Sequence, residues 1–193
     1  MKARAQSAAI RCLDIIAAGT GLLLVTPVLV VIGLWIRATS PGPAVFAQTR
    51  IGRFERPFTC YKLRTMSFDT VSVATHEVSA RSVTPLGRVL RRLKLDELPQ
   101  LWNVLIGDMS LVGPRPCLPV QQQLLTARRS HAVLSVRPGI TGPGQVNGVD
   151  MSEPEKLAAL DAVWAAEPSV RAYVGYILRT LVGHGQGDRV REA

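Results

Sequence analysis

An uncharged apolar segment near the start of the chain sets the strongest limit on its fold. It runs from Ile15 to Ile36, about 22 residues, which is long enough for a helix to cross the hydrocarbon core of a bilayer. A cleaved secretion signal fits poorly, because the run is long for one, follows Asp14 directly and precedes no clear small-residue cleavage site. The segment therefore predicts a helix embedded in a membrane.

The arrangement of this helix is constrained by its middle and by its flanks. Pro27 lies near the centre and disrupts the backbone hydrogen-bond ladder. The charge bias of the flanks favours neither orientation, because basic residues lie on both sides: Lys2, Arg4, Arg11, Arg37, Arg50, Arg53 and Arg56. A helix broken at Thr26-Pro27, with both ends in the cytoplasm, satisfies both facts, and the Thr26 hydroxyl could bond a freed backbone group. From these residues alone, the re-entrant hairpin and a spanning helix remain equal alternatives.

A pair of adjacent acids, Asp96 and Glu97, opens a predicted amphipathic helix. The apolar residues that follow have the spacing of one helical face: Leu98, Leu101, Trp102 and Leu105. Asp96 is predicted as the N-cap, with Pro99 in the first turn and Gly107 as the stop. A carboxylate in that position faces the positive end of the helix dipole and tends to stay ionised.

Arginine-bearing segments lie on both sides of this acidic pair. Thr84-Pro85 predicts the start of a helix, and the helix would carry Arg88, Arg91 and Arg92. The segment 113–116, Gly-Pro-Arg-Pro, follows the pair. Acids between arginines suit the handling of phosphate with a metal ion. An ordinary capped helix with a solvated basic face is the structural alternative, since capping alone explains Asp96.

Composition narrows the class of protein. The 193 residues suffice for one domain with a core, and Lys+Arg exceed Asp+Glu by 23 to 14, a formal charge of +9. This surplus suits nucleic acid, anionic lipid or phosphorylated substrates. Aromatic residues make up only 5%, which argues against base stacking. Three distant cysteines fit a reducing compartment, and the histidines do not cluster with them, which argues against a zinc site.

The segments predict an α+β protein that is mainly helical. We expect a membrane-embedded part at 1–38, a small cytosolic globular domain at 39–183 and a disordered tail at 184–193. Two short strands, Ala44 to Thr49 and Phe58 to Leu63, are predicted around a turn near Gly52. Residues 67–83 are polar and lack periodicity, so they predict a mobile loop.

Besides a helix started by a capping box of Ser152 and Glu155, two helices are predicted in the second half of the domain. One begins at Pro119 and ends near Ser130, and the other begins at Pro168 and ends at Gly183. The second has an apolar stripe flanked by Arg171 and Arg179: Val170, Tyr173, Val174, Ile177, Leu178 and Leu181. Such a stripe suits an amphipathic helix at a membrane interface, although packing against a core explains it as well.

The chain resembles the bacterial sugar transferases, specifically the small monotopic phosphoglycosyl transferases. The resemblance covers about Arg11 to Gly148 and continues more weakly to about Gly183. It rests on motifs that follow the apolar segment in order: Gly42-Pro43-Ala44-Val45-Phe46, Gln48-Thr49-Arg50-Ile51-Gly52, Tyr61-Lys62-Leu63-Arg64-Thr65-Met66, Leu95-Asp96-Glu97-Leu98-Pro99-Gln100-Leu101, Gly107-Asp108-Met109-Ser110-Leu111-Val112-Gly113-Pro114-Arg115-Pro116 and Arg137-Pro138-Gly139-Ile140-Thr141-Gly142. Together these motifs are highly specific.

The resemblance implies an activity, a place and a membrane arrangement. Such enzymes move a sugar 1-phosphate from a nucleotide diphosphosugar to polyprenol phosphate, at the cytoplasmic face of the bacterial inner membrane. The family's acidic dyad falls on Asp96 and Glu97, with the first acid as nucleophile and Mg²⁺ as cofactor, and we expect Asp96 to contact the metal. The family's membrane segment is a re-entrant helix broken at a hydroxyl–proline pair, here Thr26-Pro27. The resemblance therefore favours the re-entrant alternative.

Several basic residues become candidates for substrate contacts in this light. Arg91, Arg115 and Arg137 are predicted to bind phosphate, and Lys62 and Arg64 are predicted to contact the donor. Glu97 is expected to position the metal or the acceptor. The structural alternative for the basic residues is solvation at the surface.

The chain departs from the family pattern at two places, and two other functions stay open. Pro143-Gly144 follows Gly142 where an aromatic–alanine pair is usual, and Trp164 stands near an expected tyrosine. The resemblance therefore does not identify the sugar or the nucleotide. The rivals are a membrane adaptor that binds anionic lipid and a membrane-tethered binder of nucleic acid; the adaptor leaves the Asp96-Glu97 pair unexplained. If the chain is an enzyme of this kind, we expect inner-membrane lipid among its partners and no nucleic acid, and a homo-oligomer is compatible with it.

Overall fold

A computed structural model of the chain describes residues 2–67 and 82–183, with side chains from residue 5 onward. The predicted tail, and nearly all of the predicted loop between residues 67 and 83, lie outside the described residues. The described helices are α1 (Lys2–Thr39), α2 (Pro85–Arg92), α3 (Gln100–Ile106), α4 (Gln122–Ser130), α5 (Pro143–Val146), α6 (Pro154–Ala166) and α7 (Val170–Leu181). The described strands are β1 (Val45–Ile51), β2 (Pro57–Leu63), β3 (Ser110–Val112) and β4 (Gly139–Thr141). The predicted class, α+β and mainly helical, is confirmed.

The apolar segment forms one long helix. α1 has 38 residues and contains Pro27, and at ~1.5 Å per residue it would extend about 57 Å if straight. The Thr26 hydroxyl donates to the Leu22 carbonyl at 2.6 Å. This is the carbonyl before that of Leu23, which loses its amide donor to the proline. The helix assignment continues through Pro27, so the expected interruption is not seen in it, and the re-entrant arrangement stays a proposal.

Most of the α1 surface is apolar and exposed. It is the one described helix that is long and apolar enough to cross a membrane. Only 11% of its most apolar 18-residue stretch is buried inside the protein. Its exposed large apolar residues are Leu13, Ile15, Ile16, Leu23, Leu24, Val28, Val30, Val31, Leu34 and Trp35. An apolar surface of this extent is unfavourable in water and marks contact with another apolar phase. α1 therefore supports membrane association of the chain.

The buried side of α1 packs against the rest of the protein in both halves of the helix. Ala18 lies in a core cluster with Cys60, Val104 and Met109. Ile32 and Ile36 lie in a second cluster with Leu63 and Leu90. Both halves of the helix are therefore covered by the same small domain.

The strand pair β1–β2 forms the predicted hairpin. The two strands are antiparallel, with Val45 opposite Leu63 and Ile51 opposite Pro57. The turn between them has two residues with positive φ, Phe54 at 55° and Glu55 at 59°. The strand ends differ from the prediction by one or two residues, because cross-strand pairing extends each strand toward the turn.

The second sheet was not predicted. β3 and β4 are parallel, with Ser110 opposite Gly139 and Val112 opposite Thr141. Their pairing sets the segment after β3 beside the glycine-rich loop around residues 137–142. Behind it, Cys117, Leu124, Leu125, Val149 and Leu157 form a core cluster between α4 and α6.

The last helix, α7, has two different apolar sides. Ser169 caps it by accepting the Ala172 amide at 3.3 Å. Tyr173 is buried in a cluster with Ile10, Val112 and Trp164, whereas an outer row is exposed: Val174, Leu178 and Leu181. The predicted stripe therefore divides into a core side and an exposed apolar side.

Candidate active site

The acidic pair lies in a short turn between α2 and α3. Asp96 and Glu97 belong to a 3₁₀ turn, Leu95–Glu97, which follows Lys94 in the left-handed region at φ 57°. α3 begins only at Gln100, with Pro99 at its N-cap. The prediction that Asp96 caps this helix is therefore wrong. The left-handed residue and the tight turn place the acids ahead of the helix axis rather than at its first turn.

Glu97 joins two cations from distant parts of the chain. Its Oε1 accepts hydrogen bonds from Lys62 Nζ at 3.3 Å and from Arg115 Nη2 at 2.5 Å. Lys62 comes from β2, and Arg115 from the segment after β3. The three side chains are only 14 to 18% exposed. This partial exclusion of water strengthens the attraction between the charges.

Asp96 is more deeply buried than its neighbour. The residue is 8% exposed. Burial, and then the Glu97 carboxylate, raise the pKa of Asp96, while Lys62, Arg91 and Arg115 oppose that shift. This direction differs from the one expected for a helix cap, because desolvation disfavours the ionised form. Asp96 is therefore a poorly hydrated carboxylate among cations.

Arg91 approaches the pair from α2. Its Nε donates to Thr65 Oγ1 at 2.8 Å, and its charge acts on Asp96. Its Nη1 is buried and has no hydrogen-bond partner among the residues that the structure describes. A buried guanidinium with a free donor can receive an anionic oxygen. The predicted group of Asp96, Glu97, Lys62, Arg91 and Arg115 therefore comes together.

The two other predicted arginines take other positions. Arg64 is 7% exposed and donates through Nη2 to the Ser40 carbonyl at 2.8 Å, beyond the end of α1. Arg137 Nε donates to the Gly107 carbonyl at 2.8 Å, at the C-terminal end of α3. The acidic pair lies before the opposite end of that helix. Burial, and then the charges of Arg11 and Arg53, lower the pKa of Arg137.

Two amide side chains on α3 support the site and were not singled out from the sequence. Asn103 is fully buried; its Oδ1 accepts the Tyr61 amide at 3.2 Å, and its Nδ2 donates to the Thr59 carbonyl at 2.7 Å. It thus fixes α3 against the strand that carries Lys62. Gln100 is 2% exposed, and its Nε2 has no partner within the described chain. The helical pattern alone would place both polar residues on the solvent-exposed face of α3, whereas both are buried.

The acidic pair is also the natural place for a divalent cation. Mg²⁺ commonly binds through one or two carboxylates together with substrate phosphates and water, rather than in a closed protein cage. Asp96 and Glu97 supply such a pair beside cations suited to phosphate. Within the described residues no group of three or more His, Cys, Asp or Glu could hold a metal by itself. As a donor set, the two carboxylates are chemically compatible with such an ion.

Comparison with known proteins identifies the family of the chain. The sequence pattern described as bacterial sugar transferase matches residues 5–186. The chain belongs to the bacterial sugar transferase family.

Three relatives define its place in the sugar transferase family. The chain is 46% identical over 143 residues to the UDP-glucose:undecaprenyl-phosphate glucose-1-phosphate transferase of Caulobacter vibrioides. This match covers 72% of the chain and 54% of that protein. It is 43% identical over 143 residues to the protein of the same name from Escherichia coli, covering 72% and 31%. It is 36% identical over 151 residues to the exopolysaccharide production protein PSS of Rhizobium leguminosarum, covering 72% and 74%. The chain thus spans about half the length of the first relative and under a third of the second.

Two positions that depart from the family pattern, Gly144 and Trp164, are packed inside the protein. A Cβ added to Gly144 would lie 2.3 Å from Leu157 Cδ1. Leu157 therefore occupies the space that an alanine methyl would need. Trp164 is 4% exposed and meets Tyr176 edge-on, with ring centroids 5.9 Å apart. Both exchanged positions are core contacts of α5, α6 and α7.

Proposed function

We propose that the chain transfers a sugar 1-phosphate from a nucleotide diphosphosugar, such as a UDP-sugar, to polyprenol (undecaprenyl) phosphate. The observation that carries the proposal is the buried Asp96 beside Glu97, under the charges of Lys62, Arg91 and Arg115. Donor and acceptor are both anions, so their approach requires cations around the reacting phosphorus. The names of the relatives, including exopolysaccharide production, support a role in the first membrane step of glycoconjugate assembly.

In the first half-reaction, Asp96 acts as the nucleophile. One carboxylate oxygen forms a bond to the phosphorus next to the sugar, and the phosphoanhydride bond breaks to release the nucleoside monophosphate. The poor hydration of Asp96 favours this role, because little water must be removed before attack and little is present to hydrolyse the phospho-aspartate. Arg91, Arg115 and Lys62 stabilise the charge on the phosphoryl oxygens.

In the second half-reaction, the lipid phosphate attacks the phospho-aspartate. An oxygen of the polyprenol phosphate forms the new phosphoanhydride bond, and the Asp96 carboxylate leaves and is restored. One phosphoanhydride replaces another, so no further energy source is needed. Glu97 pairs with Lys62 and Arg115 and keeps these two cations in place during both steps.

Magnesium fits this chemistry through Asp96 and Glu97. A bound ion would supply neutralisation of the diphosphate charge. The arginines and Lys62 perform the remaining electrostatic work in the described site.

The proposal includes a re-entrant α1, with both ends at the cytoplasmic face of the inner membrane. Arg11 near the start of α1 donates to the Val104 and Leu105 carbonyls at 2.6 and 2.9 Å, and Ile36 near its end packs with Leu63 and Leu90. One small domain therefore contacts both ends. A helix that crossed the bilayer would carry its ends to opposite faces. Pro27 supplies a place for a bend.

The direct test follows the phosphorus. Purified protein in detergent is mixed with Mg²⁺ and a panel of sugar nucleotides carrying label in the sugar phosphate, without lipid acceptor. We expect release of nucleoside monophosphate in an amount close to that of the enzyme, and label retained through denaturation on the peptide that contains Asp96. Polyprenol phosphate added before quenching should discharge it.

Three outcomes would contradict the proposal, each in a different way. If no member of the panel yields nucleoside monophosphate with lipid acceptor present, the protein is not this transferase, and an adaptor for anionic lipid becomes the better account. If turnover occurs but active enzyme never carries label, the lipid attacks the donor directly and Asp96 serves as a metal ligand or base. Salt-sensitive binding to nucleic acid, without turnover, would support the tethered nucleic-acid binder.

A further inference from the structure

The segment that carries Arg115 is held by its backbone carbonyls. The oxygens of Pro114, Arg115, Pro116 and Cys117 accept hydrogen bonds from Gly139 N, Arg128 Nη1, Arg50 Nη1 and Ile51 N at 2.9, 2.8, 3.0 and 2.9 Å, respectively. Successive carbonyls therefore bond to β4, α4 and the β1 strand. A segment fixed from several sides in this way presents its side chains from a defined position.

Close backbone packing limits this segment further at its start. A Cβ added to Gly113 would lie 2.3 Å from the Arg137 carbonyl oxygen, and one added to Gly142 would lie 2.2 Å from the Gly113 oxygen. Such distances require backbone movement, so the loops touch main chain to main chain. The loop around residues 137–142 therefore holds the start of the segment, ahead of Arg115.

The bond to the Arg115 carbonyl comes from a buried ion pair. Arg128 Nη2 donates to Asp161 Oδ2 at 2.8 Å, and the side chains are 2% and 0% exposed. Arg128 uses its other terminal nitrogen, Nη1, for the Arg115 carbonyl at 2.8 Å. The planar guanidinium thus joins α6 to the segment that carries Arg115, and its orientation is fixed by two acceptors at once.

Stability alone is a weak explanation for this pair. Removing two charges from water carries a large desolvation cost, and apolar residues of similar volume often stabilise a protein equally well. What an apolar pair cannot supply is a donor to the Arg115 carbonyl. The pair is therefore better explained by what it holds.

We infer that Arg128, oriented by Asp161, is a positioning residue that holds the Arg115 guanidinium against Glu97 in the acidic pair. The chain of contacts runs from α6 through α4 to the Arg115 backbone, and then through the Arg115 side chain to Glu97 at 2.5 Å. The functional part of this inference rests on the proposed transferase activity. Arg128 itself touches no reacting group.

The neighbouring arginine on α4 provides a matched control. Arg129 pairs with Glu55 at 2.7 Å, but these side chains are 48% and 42% exposed. The residue type, the helix and the type of partner are the same, and only the burial and the link to Arg115 differ. Arg129→Gln should leave turnover at the wild-type level.

The main variant removes both charges of the buried pair. Asp161→Asn alone would leave a buried guanidinium without its counterion and endanger folding, so the test uses Arg128→Met with Asp161→Leu. We expect a folded protein whose kcat/KM for the sugar nucleotide falls about 10²-fold, the scale of a small misplacement of a catalytic group. Arg128→Lys, which keeps a charge for Asp161 but lacks the fork, should fold and show a smaller loss.

A mutant cycle separates positioning from general damage. If Arg128 acts through Arg115, then adding the Arg128→Met and Asp161→Leu changes to Arg115→Gln should reduce activity no further than Arg115→Gln does alone. Effects that multiply, or wild-type turnover in a folded Arg128→Met and Asp161→Leu protein, would overturn the inference.

Hydrogen exchange gives a readout that does not need activity. The amides of Gly113, Arg115, Cys117 and Leu118 should exchange roughly tenfold faster in the double variant than in wild type or Arg129→Gln, because a carbonyl anchor is lost. Unchanged exchange there would refute the positioning role whether or not the wild-type protein turns over any sugar nucleotide. A wild type without turnover but with this exchange difference would refute the proposed function and leave the anchoring of Arg115 standing.

Discussion

Asp96 and Glu97 are adjacent acids with different surroundings. Asp96 is 8% exposed, and its pKa is raised, first by burial and then by Glu97. Glu97 is directly paired with Lys62 and Arg115. An acid that is desolvated is suited to attack, whereas an acid held by cations is suited to organise them.

The contrast predicts opposite effects on stability when each acid becomes an amide. At pH 7 to 8, Asp96→Asn should abolish turnover yet unfold at the same temperature as wild type or above it, because a raised pKa means that the ionised form costs folding free energy at a pH above that pKa. Glu97→Gln should lower activity and also destabilise the protein by about 1–3 kcal/mol, since Lys62 and Arg115 lose a charged acceptor. Thermal unfolding in detergent, with turnover on the same samples, measures both effects. A clear loss of stability in Asp96→Asn would contradict this account of the two acids.

The raised pKa of Asp96 also predicts the pH dependence of the reaction. Asp96 must be ionised to attack, so the rate should fall with decreasing pH at a higher pH than for an exposed aspartate, whose pKa is near ~3.9. Lys62 opposes the upward shift. Lys62→Met should therefore move the acid limb of kcat/KM to still higher pH, by up to about one pH unit. Lys156→Gln is the matched control, because this lysine pairs with Glu153 on an exposed face of α6; equal profiles for the two variants would argue against the assignment.

The sequence predicted the central residues of this candidate site and missed their supports. The acids and their cations lie in recognisable motifs, and the structure brings Asp96, Glu97, Lys62, Arg91 and Arg115 together. Arg137 carries the same kind of motif signal but donates to a carbonyl at the C-terminal end of α3. A motif identifies a residue type and a position, whereas its direction depends on packing across the whole domain.

The supports could not be predicted for the same reason. Asn103 bonds to residues more than 40 positions away, and Asp161 lies 33 positions from Arg128. Neither contact leaves a periodic pattern in the sequence. Asn103, Arg128 and Asp161 are polar residues that the local sequence would place in solvent, yet all three are buried. The decisive information is the packing of α3 on β2, and of α6 on α4.

At the scale of elements, local chemistry predicted those with strong end signals. Thr84 accepts the Gly87 amide at 2.9 Å and starts α2 as expected, and the two predicted strands pair as a hairpin. The β3–β4 pair was missed, since each strand has only three residues and parallel pairing needs a distant partner. α1 is apolar all round, so its sequence does not say which side faces the domain.

One acid decides how the start of α1 is attached. Asp14 is 1% exposed, and its Oδ1 accepts Ser110 Oγ at 3.0 Å, the Leu111 amide at 2.9 Å and Tyr173 Oη at 2.9 Å. The same contact joins α1, β3 and α7. Burial, and then the Asp14 charge, raise the pKa of Tyr173, so the phenol remains a donor at neutral pH.

Removing these bonds should loosen α1 in proportion to the number removed. Tyr173→Phe should lower the free energy of unfolding by about 1–2 kcal/mol, and Asp14→Leu should cost more because two further buried donors lose their acceptor. Tyr176→Phe on the same helix is the control, since the ring that meets Trp164 is retained. Thermal unfolding in one detergent gives the order. A Tyr173→Phe protein as stable as Tyr176→Phe would show that this hydrogen bond contributes nothing measurable.

At the scale of the whole molecule, one small basic domain and one long apolar helix must share a membrane surface. α3 meets α1 from Arg11 to Gly21, where a Gly21 Cβ would lie 3.1 Å from Leu101 Cδ1, and Gly33 approaches Ala44 farther along. The formal charge of +9 suits the anionic cytoplasmic leaflet. The packing places the domain along the helix rather than at one end, which supports the proposed re-entrant arrangement over a straight crossing of the bilayer.

This geometry predicts that both ends of α1 are accessible from the cytoplasm. The background is Cys12→Ser, since Cys12 is the exposed native cysteine whereas Cys60 and Cys117 are buried. Single cysteines are then introduced at the exposed positions Ser7 and Arg56, with Glu153, the residue just before α6, as the reference for the rest of the domain. In intact cells, an impermeant maleimide applied from outside should leave all three unlabelled, and inverted membrane vesicles should label all three equally. Labelling of Ser7→Cys from outside, with Arg56→Cys and Glu153→Cys protected, would mean that α1 spans the bilayer. Because Arg11 bonds to α3 only a few residues from Ser7, that result would also require the start of α1 to separate from the domain.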